Sequence, residues 1–284
     1  MIFPNLARER LQVYGLALLA ITALLLLVGL LRLSGATVAI ASAAIPLLYG
    51  IYVYEIWVDD LEPLRTLGIT AAISAVLGAA FALLTGHYVA QTLLLNAFPP
   101  GAPLSRIVVS AAVIPLGAQL VMLAAPLMMR TRPGDDVRDG FDLGAGSALG
   151  FVFASTLVYL SPELQSGSFV ITASIPFALR AVVHGLIVPL IYAGTTGLVV
   201  SSFWLYRRPL RVVPRYIHVT DRATSLAVAA VVQVALGLTD IFVQTSVTAI
   251  VIYVVVGIAL FYWVRLALPT MLLAETGERP RDLR

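Results

Sequence analysis

Residues 115–160, PLGAQLVMLAAPLMMRTRPGDDVRDGFDLGAGSALGFVFASTLVYL, decide the fold. They complete an apolar run from Ile107 to Met129 that Gln119 interrupts midway. The next residues, Arg130 to Gly140, concentrate Arg, Asp, Pro and Gly, the composition of a solvated turn. Phe141 to Leu160 is apolar again, and Gly144, Gly146 and Gly150 stand among small residues that let another helix approach closely. Two apolar helices therefore flank one polar turn, and the second reads as an interior helix.

The same texture extends in both directions. Of 284 residues, 60% are hydrophobic and 12% charged, well below the charged share of a soluble domain. The expected fold is all-α, a polytopic helix bundle in a membrane, where a helix satisfies its backbone internally. No lysine occurs, so arginine alone carries the basic side of the +3 net charge. A charge so modest predicts attraction to anionic lipid and no nucleic-acid face. The absence of cysteine excludes disulfides and thiolate metal sites. His87, His184 and His218 are too scattered for a metal signature, so no metal or other cofactor is expected.

In chain order the apolar runs are Leu11 to Leu31, Thr37 to Val58, Leu67 to Val89, Ile107 to Met129, Phe141 to Leu160, Ala181 to Trp204, Ser225 to Leu238 with a few flanking residues, and Val247 to Leu266. Each is long enough, or nearly so, to cross a bilayer, which gives about eight spans, the first of them uncleaved. Tyr52, Tyr54 and Trp57 form an aromatic belt ahead of the polar turn Asp59 to Arg65. Ala90 to Ser105 reads as an interfacial loop broken by Pro99, Pro100 and Pro103; Val170 to Leu179, with Pro176, reads as interfacial or dipping into the membrane. The tail from Glu275 is charged and expected to be disordered.

Arginine placement orients the bundle. With the N-terminus cytoplasmic, Arg8, Arg10, Arg65, Arg130, Arg132, Arg138, Arg207, Arg208, Arg211, Arg215, Arg222 and the tail arginines lie inside, against Arg32, Arg106 and Arg180 outside. Both termini are thus expected in the cytoplasm, in a multi-pass protein of the cell (inner, cytoplasmic) membrane. The segment Tyr206 to Arg222, the most basic loop, reads most simply as a topology determinant, with a lipid or cytosolic-partner site as the second reading. Three regions are expected: 1–106 with three spans, 107–206 with the central ones, and 207–284 with the basic loop, two spans and the tail.

Ionisable groups inside a membrane are costly and hence functional candidates by default. Glu55, a turn from the end of its span, has the plain reading of snorkelling beside Tyr54 and Trp57. Arg180 and His184, four residues apart, share a helix face. Arg180 reads as an interface anchor. His184 is either satisfied by a neighbouring helix or part of a site.

At this point an order of features stands out: Pro115 to Met122, the charged turn, Asp139-Gly-Phe-Asp-Leu-Gly-Ala-Gly-Ser-Ala-Leu-Gly-Phe151, then Arg180-Ala-Val-Val-His-Gly-Leu186. Over roughly Pro115 to Gly197 it resembles the PrsW-type intramembrane proteases. That family's Glu-Glu-x-x-Lys motif falls here on Ala118, Gln119 and Met122. Its Phe followed by Glu four residues later falls on Phe151 and Ser155. Its histidine matches His184, and the motif's closing Asp falls on Val188. The resemblance therefore implies a degenerate member lacking the motif glutamates, and peptide hydrolysis needs a carboxylate or a held metal to activate water.

The resemblance implies a pseudoprotease whose pocket, built from Gln119, Phe151, Ser155, His184 and the neighbouring Arg180, holds a membrane partner without cutting it. Such a partner would be a single-span protein, an anti-sigma-like regulator for instance, or a larger membrane complex. The alternatives are an active peptidase in which Glu55 or Asp142 supplies the acid, and a structural subunit or transporter. A Ser155–His184 nucleophile pair lacks a buried acid to orient the histidine. The glycines at 144, 146 and 150 follow no strand, so helix packing explains them better than a nucleotide loop.

Overall fold

The computed structural model describes residues 8–31, 33–57, 61–95, 104–129, 136–166, 179, 181–206, 221–242 and 246–276. Every regular element among them is helical. We number the helices α1 (Arg8–Leu30), α2 (Ser34–Trp57), α3 (Leu61–Leu95), α4 (Leu104–Met128), α5 (Val137–Ser166), α6 (Val183–Leu205), α7 (Arg222–Phe242) and α8 (Ser246–Thr276). All eight are long and apolar enough to cross a membrane. Large apolar side chains such as Leu19, Val76, Leu84, Leu120, Val231 and Ile258 point outward, whereas Ser74, Gln119, Ser147, Thr195, Thr196 and Gln233 are buried. That distribution suits a hydrocarbon solvent, in which polar groups must find partners within the protein.

Contacts between helix ends show how the helices alternate. Tyr14 near the start of α1 donates to Glu55 at the end of α2 (3.1 Å), Glu275 at the end of α8 accepts from the Val137 amide at the start of α5 (3.0 Å), and Arg222 opening α7 lies over Phe203 and Tyr206 at the end of α6. These define the turn face, the end of the bundle where α4 stops and α5 starts. On the far face, Thr85 of α3 meets the Tyr159 hydroxyl of α5 (2.7 Å), and Tyr253 of α8 donates to Asp240 of α7.

Helix α5 is the hub. Residues 140–149 are buried without a break, because α2, α3, α4, α6 and α8 all pack on it. Two of its glycines permit this. A Cβ at Gly144 would lie 2.7 Å from the Thr196 carbonyl oxygen of α6, and one at Gly150 would run into the Ala71 carbonyl of α3. At Gly146 the obstacle is only the side-chain tip of Leu67, at 2.8 Å.

Two single π-helical turns, Val109–Val113 in α4 and Val183–Ile187 in α6, share a cause. Each ends two residues before a proline, Pro115 or Pro189. The proline ring supplies no N–H and crowds the carbonyl four residues back, so the preceding turn widens. The widened turn of α6 carries His184, and Gly185 within it packs against Ala41 of α2.

Several helices outrun their expected limits. The charged turn gives its last residues to α5, which begins at Val137 instead of Phe141. Asp136 Oδ1 accepts from the Arg138 and Asp139 amides (both 2.9 Å), while Asp139 Oδ2 accepts from the Asp136 amide (2.9 Å), a reciprocal cap. Replacing Asp136 by alanine is expected to cost about 1 kcal/mol. Thermal unfolding in mild detergent reads this, and an unchanged midpoint would remove the cap from the account. Likewise α3 spans Leu61–Leu95, absorbing part of the turn expected at Asp59 to Arg65 and the start of the loop expected from Ala90. Helix α8 continues past Leu266 to Thr276, so the expected disordered tail begins with helix; Met271 and Ala274 are fully buried there, and Glu275 caps α5. The interfacial segment expected at Val170 to Leu179 lies, apart from Leu179, outside the described residues.

Candidate functional site: a neutral hydrogen-bonded layer

Five helices bring uncharged polar side chains to one level. Ser74, Gln119, Ser147, Thr195 with Thr196, and Gln233 each stand near the middle of their spans, Pro63–Gly86, Leu104–Met128, Val137–Tyr159, Val183–Leu205 and Arg222–Ile241. Gln119 is the junction. Its Oε1 accepts from Gln233 Nε2 (2.8 Å) and, at a long 3.5 Å, from Thr195 Oγ1; its Nε2 donates to Thr196 Oγ1 (3.2 Å). A second branch starts one turn on, where Ser147 donates to the Met122 carbonyl (2.5 Å) and shares a 2.6 Å hydrogen bond with Ser74.

The sequence permits this because each helix carries one or two polar residues in an apolar run, so burying them side by side is the cheapest arrangement. Hydrogen bonds between membrane helices contribute about 0.6–2 kcal/mol each, so the layer specifies how helices meet as well as stabilising the bundle. Gln233 is fully buried, and its Oε1 accepts no hydrogen bond. Chemically the layer can donate, accept and orient. Amides and hydroxyls cannot take a proton from water at ordinary pH, so general-base catalysis is outside its reach.

The other expected residues lie elsewhere. Phe151 is buried and packs on Phe81, with ring centroids 5.6 Å apart. Ser155 is buried but donates to the Val152 carbonyl of its own helix (3.3 Å). His184 stands edge-on to the Tyr253 ring at 6.2 Å. Counting along α6, His184 lies about 16 Å of rise from Thr195, and Ser155 about 12 Å along α5 from Ser147. The pocket expected to join Gln119, Ser155 and His184 is thus two levels: the mid-span layer holding Gln119, and a far-face level holding Ser155 and His184. Tyr192, one turn from Thr195, packs between helices against Phe151 and its neighbours. Arg180, Arg207, Arg208, Arg211, Arg215 and His218 lie outside the described residues.

Neither acid weighed for catalysis reaches the layer. Asp142 is buried toward the turn face, where its Oδ1 accepts from the Tyr49 hydroxyl (2.9 Å). Glu55 is exposed and accepts from Tyr14. Reading the sequence missed Thr195, Thr196, Ser74, Ser147 and Gln233 as members. For Gln233 a signal existed, a lone glutamine at mid-span like Gln119. Among the described residues, no group of three or more His, Cys, Asp or Glu is placed to hold a metal ion.

A family model described as PrsW family intramembrane metalloprotease matches residues 62–264, more than half of the chain and every member of the layer. No curated protein and no solved structure matches.

Proposed function

The chain belongs to the PrsW family of intramembrane metalloproteases, and on that premise we propose that it is a non-catalytic member, a pseudoprotease that holds a partner's transmembrane helix without cutting it. The observation that carries this reading is Gln119. On the motif placement that the sequence resemblance implies, it stands where the family has a glutamate, and its amide is engaged at both ends by neutral partners, Gln233 and Thr196. On the same implied placement the motif positions are Gln119, Ser155, His184 and Val188, and these include one good metal ligand, the histidine. A catalytic metal needs about three protein ligands, so this set does not fit the metal that the family description implies. No hydrolytic step follows from it.

In this reading the far-face level, with Ser155, Tyr192 and His184, contacts the partner, and the mid-span layer fixes the helices that frame it. The turn face is cytoplasmic and so are both termini, because the arginine-rich segments emerge there. The bundle then resides in the cell membrane, and a single-span protein is the partner expected at that level.

Because His184 touches Tyr253 only edge-on, His184→Ala is expected to leave the fold intact. Retention of the partner during purification in mild detergent should fall about tenfold, the loss of one anchoring side chain. Equal recovery from wild type and variant would exclude His184 from the contact.

A further inference from the structure

On the turn face, the start of α7 presents four features that the layer does not use. Arg222, its first residue, has its guanidinium carbon 5.2 Å above the Phe203 ring and 5.3 Å above that of Tyr206. Cation–π attraction to two rings holds the guanidinium in place without requiring a carboxylate for its N–H donors. The buried Nε of Arg222 donates to nothing. Ser225, on the same side of the helix at i+3, is 3% exposed, and its hydroxyl has no partner. Helical side chains lean toward the N-terminus, which directs this hydroxyl back over the first turn. The amides of Arg222, Ala223 and Thr224 belong to that turn and have no acceptor within the helix. Asp221, the residue before, engages α7 through its backbone carbonyl, which accepts from the Ser225 amide (2.9 Å).

We propose that the N-terminus of α7 is a phosphate-binding site, formed by the Arg222 rim, the Ser225 hydroxyl and the first-turn amides. A helix N-terminus favours an anion, and a phosphate offers several acceptor oxygens to three kinds of donor. The site lies where a membrane-spanning helix begins, the level of lipid headgroups, and the preceding segment carries Arg207, Arg208, Arg211 and Arg215. The phosphate of an anionic lipid is the expected occupant, and free phosphate is the other source of the same chemistry. The site is independent of whether the chain cleaves peptides.

The test is lipid retention by the full chain purified from vesicles of phosphatidylcholine and phosphatidylglycerol, read by mass spectrometry, with thermal unfolding in inorganic phosphate as a second arm. Wild type should retain phosphatidylglycerol over phosphatidylcholine by about tenfold, and Arg222→Gln should bring the ratio to parity. Ser225→Ala should lower it several-fold while unfolding at the wild-type temperature, since the hydroxyl it removes has no partner in the fold. Arg208→Gln should leave the ratio unchanged. Stabilisation of wild type by inorganic phosphate, lost in both α7 variants and without lipid preference, would keep the site and assign it to a soluble phosphate. The proposal is overturned if both α7 variants match wild type in both arms, or if Arg208→Gln abolishes the preference as fully as Arg222→Gln.

Discussion

Gly150→Val is expected to destabilise the bundle by about 3 kcal/mol or more, the largest effect of any single glycine substitution considered. The new Cβ would run into the carbonyl of Ala71, with that residue's carbonyl carbon at 3.0 Å and its Cα at 3.1 Å. Backbone cannot swing aside as a side chain can, so α3 and α5 must separate, and forced overpacking alone costs about 1–3 kcal/mol. Separation would also pull Ser74 from Ser147, because the same two helices carry that hydrogen bond. The structure ranks the controls. Gly144→Val should approach Gly150→Val, since it meets the Thr196 carbonyl. Gly146→Ala should be milder, because Leu67 can change rotamer. Gly15→Ala, with nothing within 4 Å, should be neutral or slightly stabilising through helix propensity. Thermal unfolding of the four variants in one detergent checks the order, and equal midpoints for Gly150→Val and Gly15→Ala would dismiss the close α3–α5 contact.

Gln119→Leu is expected to cost about 2 kcal/mol although leucine matches glutamine in size. Gln233 would keep a fully buried amide whose Nε2 has lost its acceptor, and the Thr196 hydroxyl would lose its donor. Orphaning a buried polar group costs about 1–3 kcal/mol, tempered in a membrane protein because the unfolded helices find partners too. Gln119→Glu separates this from a size effect. Gln233 Nε2 still has an acceptor, and the Thr196 hydroxyl can turn from acceptor to donor, so despite the cost of an ionisable group at mid-span this variant should keep more of the folded bundle's stability than Gln119→Leu. A double substitution, Gln119→Leu with Gln233→Leu, should recover part of the loss, since both amides then leave together. If the double variant falls by the sum of the singles, the two residues are not coupled and the layer is misdescribed.

Much of the architecture was legible because a membrane span is written in composition. Eight apolar runs gave eight helices, and the small residues of 141–151 marked the helix that others would approach. The charged turn and the two runs beside it were readable as a helix pair. Boundaries were not, for physical reasons: Asp136 and Asp139 look like turn residues until they cap a helix, and α8 outruns its apolar stretch because Met271 and Ala274 are buried by neighbours far away in sequence. The depth of Gln119 could be counted along its helix, whereas its partners could not. Which of the polar residues on α6 and α7 meets Gln119 depends on how the helices rotate and cross, and close contacts such as Gly144 on Thr196 and Gly237 on Ala111 set that. Periodicity within one helix carries no information about it. Counting along the helices put Gln119 at mid-span and Ser155 and His184 in one half; whether the three converge on one pocket could not be counted, because it depends on how the helices pack.

The α4 and α6 π-turns tie these levels to sequence. Pro115 and Pro189 each widen the turn before them, one just ahead of Gln119 and the other around His184. Both prolines thus set the helix phase at which the two groups are presented.

The most direct test of the central reading follows one molecule, a single-span protein captured by the chain, tagged at both ends and expressed with wild type, with His184→Ala or with neither. The reading of a helix-holding member without catalysis predicts that wild type retains it at full length, and that the variant retains little and leaves it equally intact. Fragments ending within or beside its membrane span, present with wild type and absent with the variant and in the cells lacking the chain, would contradict that reading and mean that the neutral layer frames a working peptidase.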